Sequence, residues 1–300
     1  MSADTSPQPV IIGCGFLGSY LAKLLLNNQQ NPTCVVQSES SCQTLVDRQL
    51  HAVICDLDTP IRDQPEWAAH IDQAYYLAPP SHTDNDDHRI ENFLNLCKSS
   101  PPRKIVYIST SGVYGDCQGN WVTEDHPLAP VTARAKRRVY AEKALIRYCL
   151  RHRCEYVILR VGGIYGPSRL PLERLKNITV ICPEEAPPSN RIHVADLAAV
   201  CVSAMLNKIQ NEVINIADGQ PTSMSDYYYK IADFAGLPRP PCVPLSQAQE
   251  KLSAGMLSFI NESRRLSLDK MNALLDVEIQ FPTLALGLED CFRSLDLKNL

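Results

Sequence analysis

Short runs of apolar, largely β-branched residues alternate along most of the chain with longer stretches in which apolar positions recur every three or four residues. The short runs predict strands at 10–12, 34–37, 52–55, 73–77, 104–109, 156–161 and 213–216. The longer stretches predict helices at 17–26, 41–48, 88–97, 134–151 and 194–206. Strand and helix alternating at this spacing imply a parallel sheet covered on both faces, and right-handed crossovers make it a doubly wound α/β sheet. From about residue 166 the pattern changes. Proline and irregular sequence become frequent (GPSRLPLERL, CPEEAPPSN, GLPRPPCVPL), and helical periodicity returns only at 225–235 and 266–275. The expected organisation is a sheet domain over 8–166 that also receives about 191–218. A small lobe built from 167–190 and 219–300 should lie at the carboxyl ends of the strands, where open α/β sheets place their ligand crevice.

A length of 300 residues fits one large or two modest domains, and 45% apolar with 21% charged residues is an ordinary globular mixture. Lys and Arg number 29 against 33 Asp and Glu, dispersed along the chain, so no basic face is available for nucleic acid or an anionic membrane. No apolar run approaches the ~20 residues of a membrane span. The opening MSADTSPQP lacks a basic region followed by an apolar stretch, so it reads as a frayed tail and the expected location is cytoplasmic. Twelve cysteines invite a disulfide framework or a metal site, but they are spread from Cys14 to Cys291 with no CxxC pair. They read as reduced, mostly buried small hydrophobes, and no metal is expected.

Directly after the first strand comes Gly13-Cys14-Gly15-Phe16-Leu17-Gly18, opening into a helix that carries Leu21, Leu24 and Leu25. In that setting G-x-G-x-x-G has a mechanism. Gly13 permits the tight turn, Gly15 lets a pyrophosphate approach the backbone, and Gly18 allows helix and strand to touch. Unpaired amides at the helix start then hold the phosphates. The adenosine ribose should be read near Gln37, Ser38 and Glu39. A carboxylate there favours NAD and an arginine NADP; Glu39 gives a slight lean to NAD and leaves both cofactors open.

Three further segments, IVYISTSGVYGD (105–116), LRVGGIYGP (159–167) and RIHVADLA (191–198), together with the glycine loop, resemble the extended short-chain dehydrogenase/reductases, the NAD-dependent epimerase/dehydratases. The resemblance runs from Gly13 to about Cys291. It implies a Rossmann sheet binding NAD(P), a small C-terminal substrate lobe, and often a nucleotide-sugar substrate. By the same resemblance, Gly13, Gly15, Phe16, Leu17, Gly18, Ser38, Ser109 and Gly162 contact the cofactor. Asp56 and Leu57 meet its adenine, and Leu77, Ala78 and Pro79 lie along it. Gly163, Tyr165 and, on the substrate side, His193 would sit toward the nicotinamide end, although His193 can equally be structural beside the helix cap at Asp196.

The resembling enzymes use a Ser or Thr, and a Tyr and Lys spaced YxxxK. Thr110, flanked by Ser109 and Ser111, matches the first position. Spacing from Thr110 and from Glu142 puts Arg134 and Arg138 where the Tyr and Lys are expected. Tyr140 and Lys143 are one residue short of YxxxK, and 140, 143, 147 and 151 read as a solvated helix face. An arginine cannot exchange protons near neutral pH. Two guanidinium groups one turn apart can instead clamp a carboxylate or phosphate, or they are ordinary exposed charges in RAKRR. Two readings follow. In one, an atypical NAD(P)-dependent enzyme acts on a small anionic or sugar-type substrate with Thr110, Ser111, Arg134 and Arg138, and a proton comes from substrate, water or Tyr114. In the other, a non-catalytic NAD(P) sensor keeps the fold. The resemblance also implies a possible homodimer through the Arg134 helix, whose basic face predicts a weaker or different interface.

Overall fold

The computed structural model describes residues 8–81 and 86–296. Residues 1–7, expected as a tail, lie outside the described residues. All seven expected strands form one parallel sheet: β1 (Pro9–Ile12), β2 (Thr33–Val36), β3 (Ala52–Ile54), β4 (Gln73–Tyr76), β5 (Lys104–Thr110), β6 (Glu155–Val161) and β7 (Glu212–Ile216), in the order β7-β6-β5-β4-β1-β2-β3. The winding direction reverses at β1, which pairs with β2 on one side and β4 on the other, with Ile11 between Cys34 and Tyr75. A crevice at the carboxyl end of such a sheet opens at this reversal.

Side chains two apart along each strand leave by the same face. Ile11, Tyr75, Val106 and Val157 point to a core shared with α1 (Phe16–Asn27) and α5 (Val194–Leu206). Ile12, Tyr76, Tyr107 and Ile158 point to the opposite core, shared with α3 (His88–Leu96) and α4 (Ala133–His152); α2 (Glu39–Val46) follows β2. Because both faces are covered, the strands are almost wholly apolar rather than alternating. The 20-residue α4 starts at Thr132, whose hydroxyl accepts from Ala135 N, and stops where Arg153 takes a left-handed conformation (φ 56°). Its buried stripe includes Ala141, Glu142, Leu145 and Tyr148.

Beyond the sheet, α6 (Met224–Phe234) begins with a reciprocal Ser223–Asp226 cap. It packs with Leu175, Val180 and Ile181, with α7 (Ala254–Ile260) and with the C-terminal helix Leu284–Asp296 around a separate apolar cluster. The C-terminal helix was not anticipated from the sequence. In place of one helix over 266–275, Arg265–Leu266 pairs as a short strand with Trp121–Val122, and the helix spans Asp269–Leu274. Met271 and Leu275 join the core of the sheet, and Lys270 Nζ pairs with Glu212 at 2.5 Å.

Candidate functional site

The loop after β1 lies directly on the end of β4. Gly13 has φ +84°, and a Cβ there would sit 2.5 Å from Ala78 Cα, so only glycine fits both the turn and the contact. The amides of Gly13 and Cys14 both donate to Val35 O at 3.0 Å, which ties the loop to β2. A Cβ at Gly18 would press on Cys14 Sγ and Ile11 Cγ2 at 3.1 and 3.3 Å, whereas one at Gly15 would meet nothing within 4 Å. Gly15 caps α1 without a side-chain hydrogen bond, and the first turn holds no acidic residue. The result is an uncapped helix start with open space above it, an arrangement suited to an anion.

The flanking residues are distributed unequally. Leu17 is buried in the core. The Phe16 ring stands edge-on to Tyr20 at 5.7 Å, with the Arg169 guanidinium 5.0 Å over it. Ser38 caps α2 by accepting from Ser41 N at 3.3 Å, and Glu39 is exposed in the first turn. Gln37 at the end of β2 donates to Asp56 at 3.1 Å and to Asp58 at 2.8 Å. Leu57 is buried and its carbonyl accepts from Asn92. Arg89 donates to both oxygens of Asp58, at 2.5 and 2.6 Å, and to Pro79 O at 3.2 Å. The arginine at this rim is thus already matched to a carboxylate, an arrangement that leaves it poorly placed to take a ribose phosphate.

At the other end of the crevice, Thr110 closes β5, is half-buried and accepts from Gly112 N at 3.2 Å, capping the turn Ser111–Tyr114. Arg138 donates to Ala78 O at 3.3 Å and to Tyr107 OH at 3.0 Å, with its guanidinium 5.5 Å over the Tyr107 ring. It therefore reaches the same residue that Gly13 touches. Arg134 is exposed one turn earlier. With the half-buried Arg138 guanidinium bonded to the sheet end and Arg134 exposed, the two do not form a paired clamp.

Several residues expected at the chemistry lie beneath it. Ser109 donates to Glu142 at 2.5 Å, Glu142 is ion-paired with Arg160 at 2.9 Å, Arg160 donates to Tyr114 OH at 3.1 Å, and Tyr114 donates to Asn215 at 2.7 Å. All are buried. Burial pushes the Tyr114 phenol up to about 12, against the opposing pull of Arg160, so it holds its proton inside this network. Tyr140 donates to Glu91 on α3. Tyr165 is buried against Gly287 of the C-terminal helix, and its hydroxyl lacks a hydrogen-bond partner among the described residues. Gly162 has the Asn190 carbonyl where a side chain would go, 2.8 Å from an added Cβ. His193 is fully buried, accepts from Ala195 N to cap α5, and lies tilted against the Phe281 ring with centroids 4.1 Å apart. Burial pushes its pKa down to about 4, with Asp290 opposing; the structural alternative for this histidine is the one its surroundings match.

Two residues that the sequence pattern did not single out lie at this end, Arg264 beside Ser111 and Glu262 paired with Arg264. Arg264, 6% exposed, donates to Gly115 O at 2.9 Å, lies 3.5 Å from Ser111 Oγ and pairs with Glu262 at 3.2 Å. Glu262 Oε1 is buried without a hydrogen-bond partner among the described residues. In sequence NESRRL reads as a charged loop; only the close packing of Ser263 on Asp116 and Cys117 turns it inward. An open groove of about 1290 Å³ runs between 164–178 and α6, lined among others by Arg169, Arg174, Asn177, Tyr227 and Tyr228. It draws on both the 164–178 segment and the later C-terminal residues Met224 to Met256. Among the described residues no group of three or more His, Cys, Asp or Glu is arranged to hold a metal ion, and no helix is long and apolar enough to cross a membrane.

Comparison with known proteins agrees with this fold. The low-salt glycan biosynthesis protein Agl12 of Haloferax volcanii is 24% identical over 254 residues, 75% of this chain and 81% of that one. A functionally unknown conserved protein from Silicibacter pomeroyi shares the fold at a TM-score of 0.83 and 24% identity, over 97% of this chain and all of that one. A UDP-glucuronic acid 4-epimerase from Bacillus cereus, solved with NAD, does so at 0.76 and 21%, over 97% and 99%. The model of the NAD dependent epimerase/dehydratase family matches residues 10–217, from the first strand of the sheet to just past the last, and the chain belongs to that family.

Proposed function

We propose that this chain binds NAD along the Gly13–Gly18 loop and the end of β4, and acts on a sugar nucleotide whose nucleotide part lies in the groove beside Arg169 and Arg174. The observation that carries the reading is the joint at Ala78. The glycine turn presses on its backbone and Arg138 takes its carbonyl, so the phosphate cradle and the substituted YxxxK helix converge on one strand end. The Asp58–Arg89 pair at the adenine rim supports NAD over NADP. Bound NAD would supply the hydride acceptor. Thr110 can orient a substrate oxygen through its hydroxyl. Arg138 keeps its charge and positions groups without exchanging protons. The proton of a substrate hydroxyl goes to Glu262, which is paired with Arg264, itself 3.5 Å from Ser111 Oγ.

The sensor reading keeps one observation on its side: Tyr114 and Tyr140 are both hydrogen-bonded away from Thr110. Incubating the NAD-loaded protein with UDP-glucose, UDP-glucuronic acid and dTDP-glucose, and following absorbance of the reduced cofactor together with product mass, separates the two. Turnover that falls at least about a hundredfold in Glu262→Gln, the scale of a lost general base, while sugar-nucleotide binding persists, supports the enzyme. Cofactor binding with no turnover of any sugar nucleotide favours the sensor.

A further inference from the structure

The turn over 166–169 leans on the first residue of α1. A Cβ at Gly166 would stand 3.2 Å from Phe16 Cζ and 2.5 Å from Val194 Cγ1, so the chain passes the Phe16 ring without a side chain. Arg169 N donates to Gly166 O at 3.2 Å and Ser168 takes a left-handed conformation (φ 66°), which closes the turn. The Arg169 guanidinium then comes to lie 5.0 Å over the Phe16 ring. Because Phe16 opens α1, this cation is tied to the uncapped helix start of the cofactor loop.

Arg169 also lines the groove, and among the described residues it pairs with no carboxylate; Glu173 in the same wall is taken by Lys176 at 3.2 Å. Against the groove residue Tyr227 stands a second cation. Arg191, 4% exposed, has its guanidinium 4.5 Å over the Tyr227 ring, donates to Thr222 and to Met224 Sδ, and is in ion-pair contact with no carboxylate among the described residues. A buried cation without such a partner raises the positive potential of the wall in front of it, which favours an anionic ligand. The stack on Phe16 uses the charge of Arg169 and leaves its planar fork of N–H donors for phosphate oxygens.

We propose that Arg169 is a phosphate-binding residue shared by two ligands: its N–H groups hold the diphosphate of a sugar nucleotide in the groove, and its charge, kept over Phe16, favours the cofactor pyrophosphate at the start of α1. This rests on the placement of the nucleotide part in the groove given above. Arg174 lines the same groove but makes no cation–π contact among the described residues, so it serves the sugar nucleotide alone. The two contributions of Arg169 are separable. A through-space charge effect is screened by salt and survives replacement by lysine, whereas the paired hydrogen bonds need the guanidinium fork.

Calorimetric titration of the full chain with UDP alone and with NAD alone, at low and high salt, tests this. Arg169→Gln, at an exposed position, should keep the wild-type melting point and bind UDP about tenfold or more weakly, the scale of lost hydrogen bonds to a charged group. Its NAD affinity should fall about threefold at low salt, and that loss should vanish near 1 M salt, where charges are screened within ~3 Å. Arg169→Lys should regain the NAD affinity while UDP stays weak, and Arg174→Gln should weaken UDP only. Unchanged UDP binding in Arg169→Gln, an NAD affinity that does not fall or a fall that persists in high salt, or an equal NAD loss in Arg174→Gln would each overturn the proposal and leave the groove assignment standing. A wild type that binds no UDP up to millimolar concentration would overturn both.

Discussion

The two ends of the crevice are made of different material. At the nucleotide end the working parts are backbone: a turn at φ +84°, amides bonded to Val35 O, and a helix start left uncapped. At the Thr110 end they are side chains held by other side chains, in the Ser109–Glu142–Arg160–Tyr114–Asn215 network and the Arg264–Glu262 pair. Backbone sites depend on which positions lack a Cβ and can be read from a short motif. Side-chain sites depend on direction and on partners remote in sequence. Changes at the first end should therefore act on cofactor binding, and changes at the second on stability or chemistry with the cofactor site intact.

The largest expected effect is Gly13→Val. Its Cβ would stand 2.5 Å from Ala78 Cα at a φ that a β-branched residue does not tolerate. NAD affinity should fall by at least about a hundredfold, consistent with a strain cost of ~3 kcal/mol, read by calorimetric titration. Near-wild-type affinity would break the comparison at its strongest point. Next is Glu142→Ala, which strands the buried Arg160. Urea unfolding should show a loss of about 3–5 kcal/mol, while any protein still folded binds NAD as before.

A smaller, pH-dependent effect belongs to His193. Its folded pKa of about 4 lies below the ordinary 6.5 because burial disfavours the charged ring. The unfolded chain thus binds a proton that the native state refuses. The neutral ring's contribution is complete above pH 6.5 and is lost as pH falls toward 4, amounting to about 3 kcal/mol across that window. Asp218, raised to about 6 mainly by burial, has the opposite slope, its native state gaining relative stability as pH falls from 6 toward 3.8. The difference between wild type and His193→Gln isolates the histidine: the variant's stability should decline less between pH 6.5 and 4.5. Parallel curves would show that His193 binds its proton equally well in the folded and unfolded chain.

The smallest effects sharpen the assignment on α4. Arg138→Ala should weaken NAD binding by roughly tenfold, since it removes the hydrogen bond to Ala78 O. Arg134→Ala, at an exposed position, should change stability by less than about 0.5 kcal/mol. Equal effects from the two would restore the paired clamp that the sequence spacing suggested.

Residue pattern alone carried the sheet, because fully buried parallel strands are written as β-branched runs and the helices between them as 3.6-residue periods. It carried the glycine loop for the same local reason. The C-terminal helix Leu284–Asp296 escaped because its apolar positions come directly after Pro282 at the end of an irregular stretch, although Thr283 caps it by accepting from Leu286 N at 3.2 Å. Tyr165 and His193 sit in a recognisable segment, but a segment fixes sequence position, not side-chain direction, and both rings turn into the core against Gly287 and Phe281. Arg264 and Glu262 were hidden for the converse reason. A charged loop normally faces water, and only the distant turn at Gly115–Cys117 draws this one inward.

The central claim, a backbone-built NAD site at the head of this sheet, is met most directly by calorimetric titration of the full chain with NAD and with NADP. The account predicts one site with micromolar affinity for NAD, binding of NADP weaker by about tenfold because Arg89 is committed to Asp58 and the 2′-phosphate gains no arginine there, and no NAD binding in Gly13→Val. No heat and no thermal stabilisation with either cofactor up to millimolar concentration would contradict it.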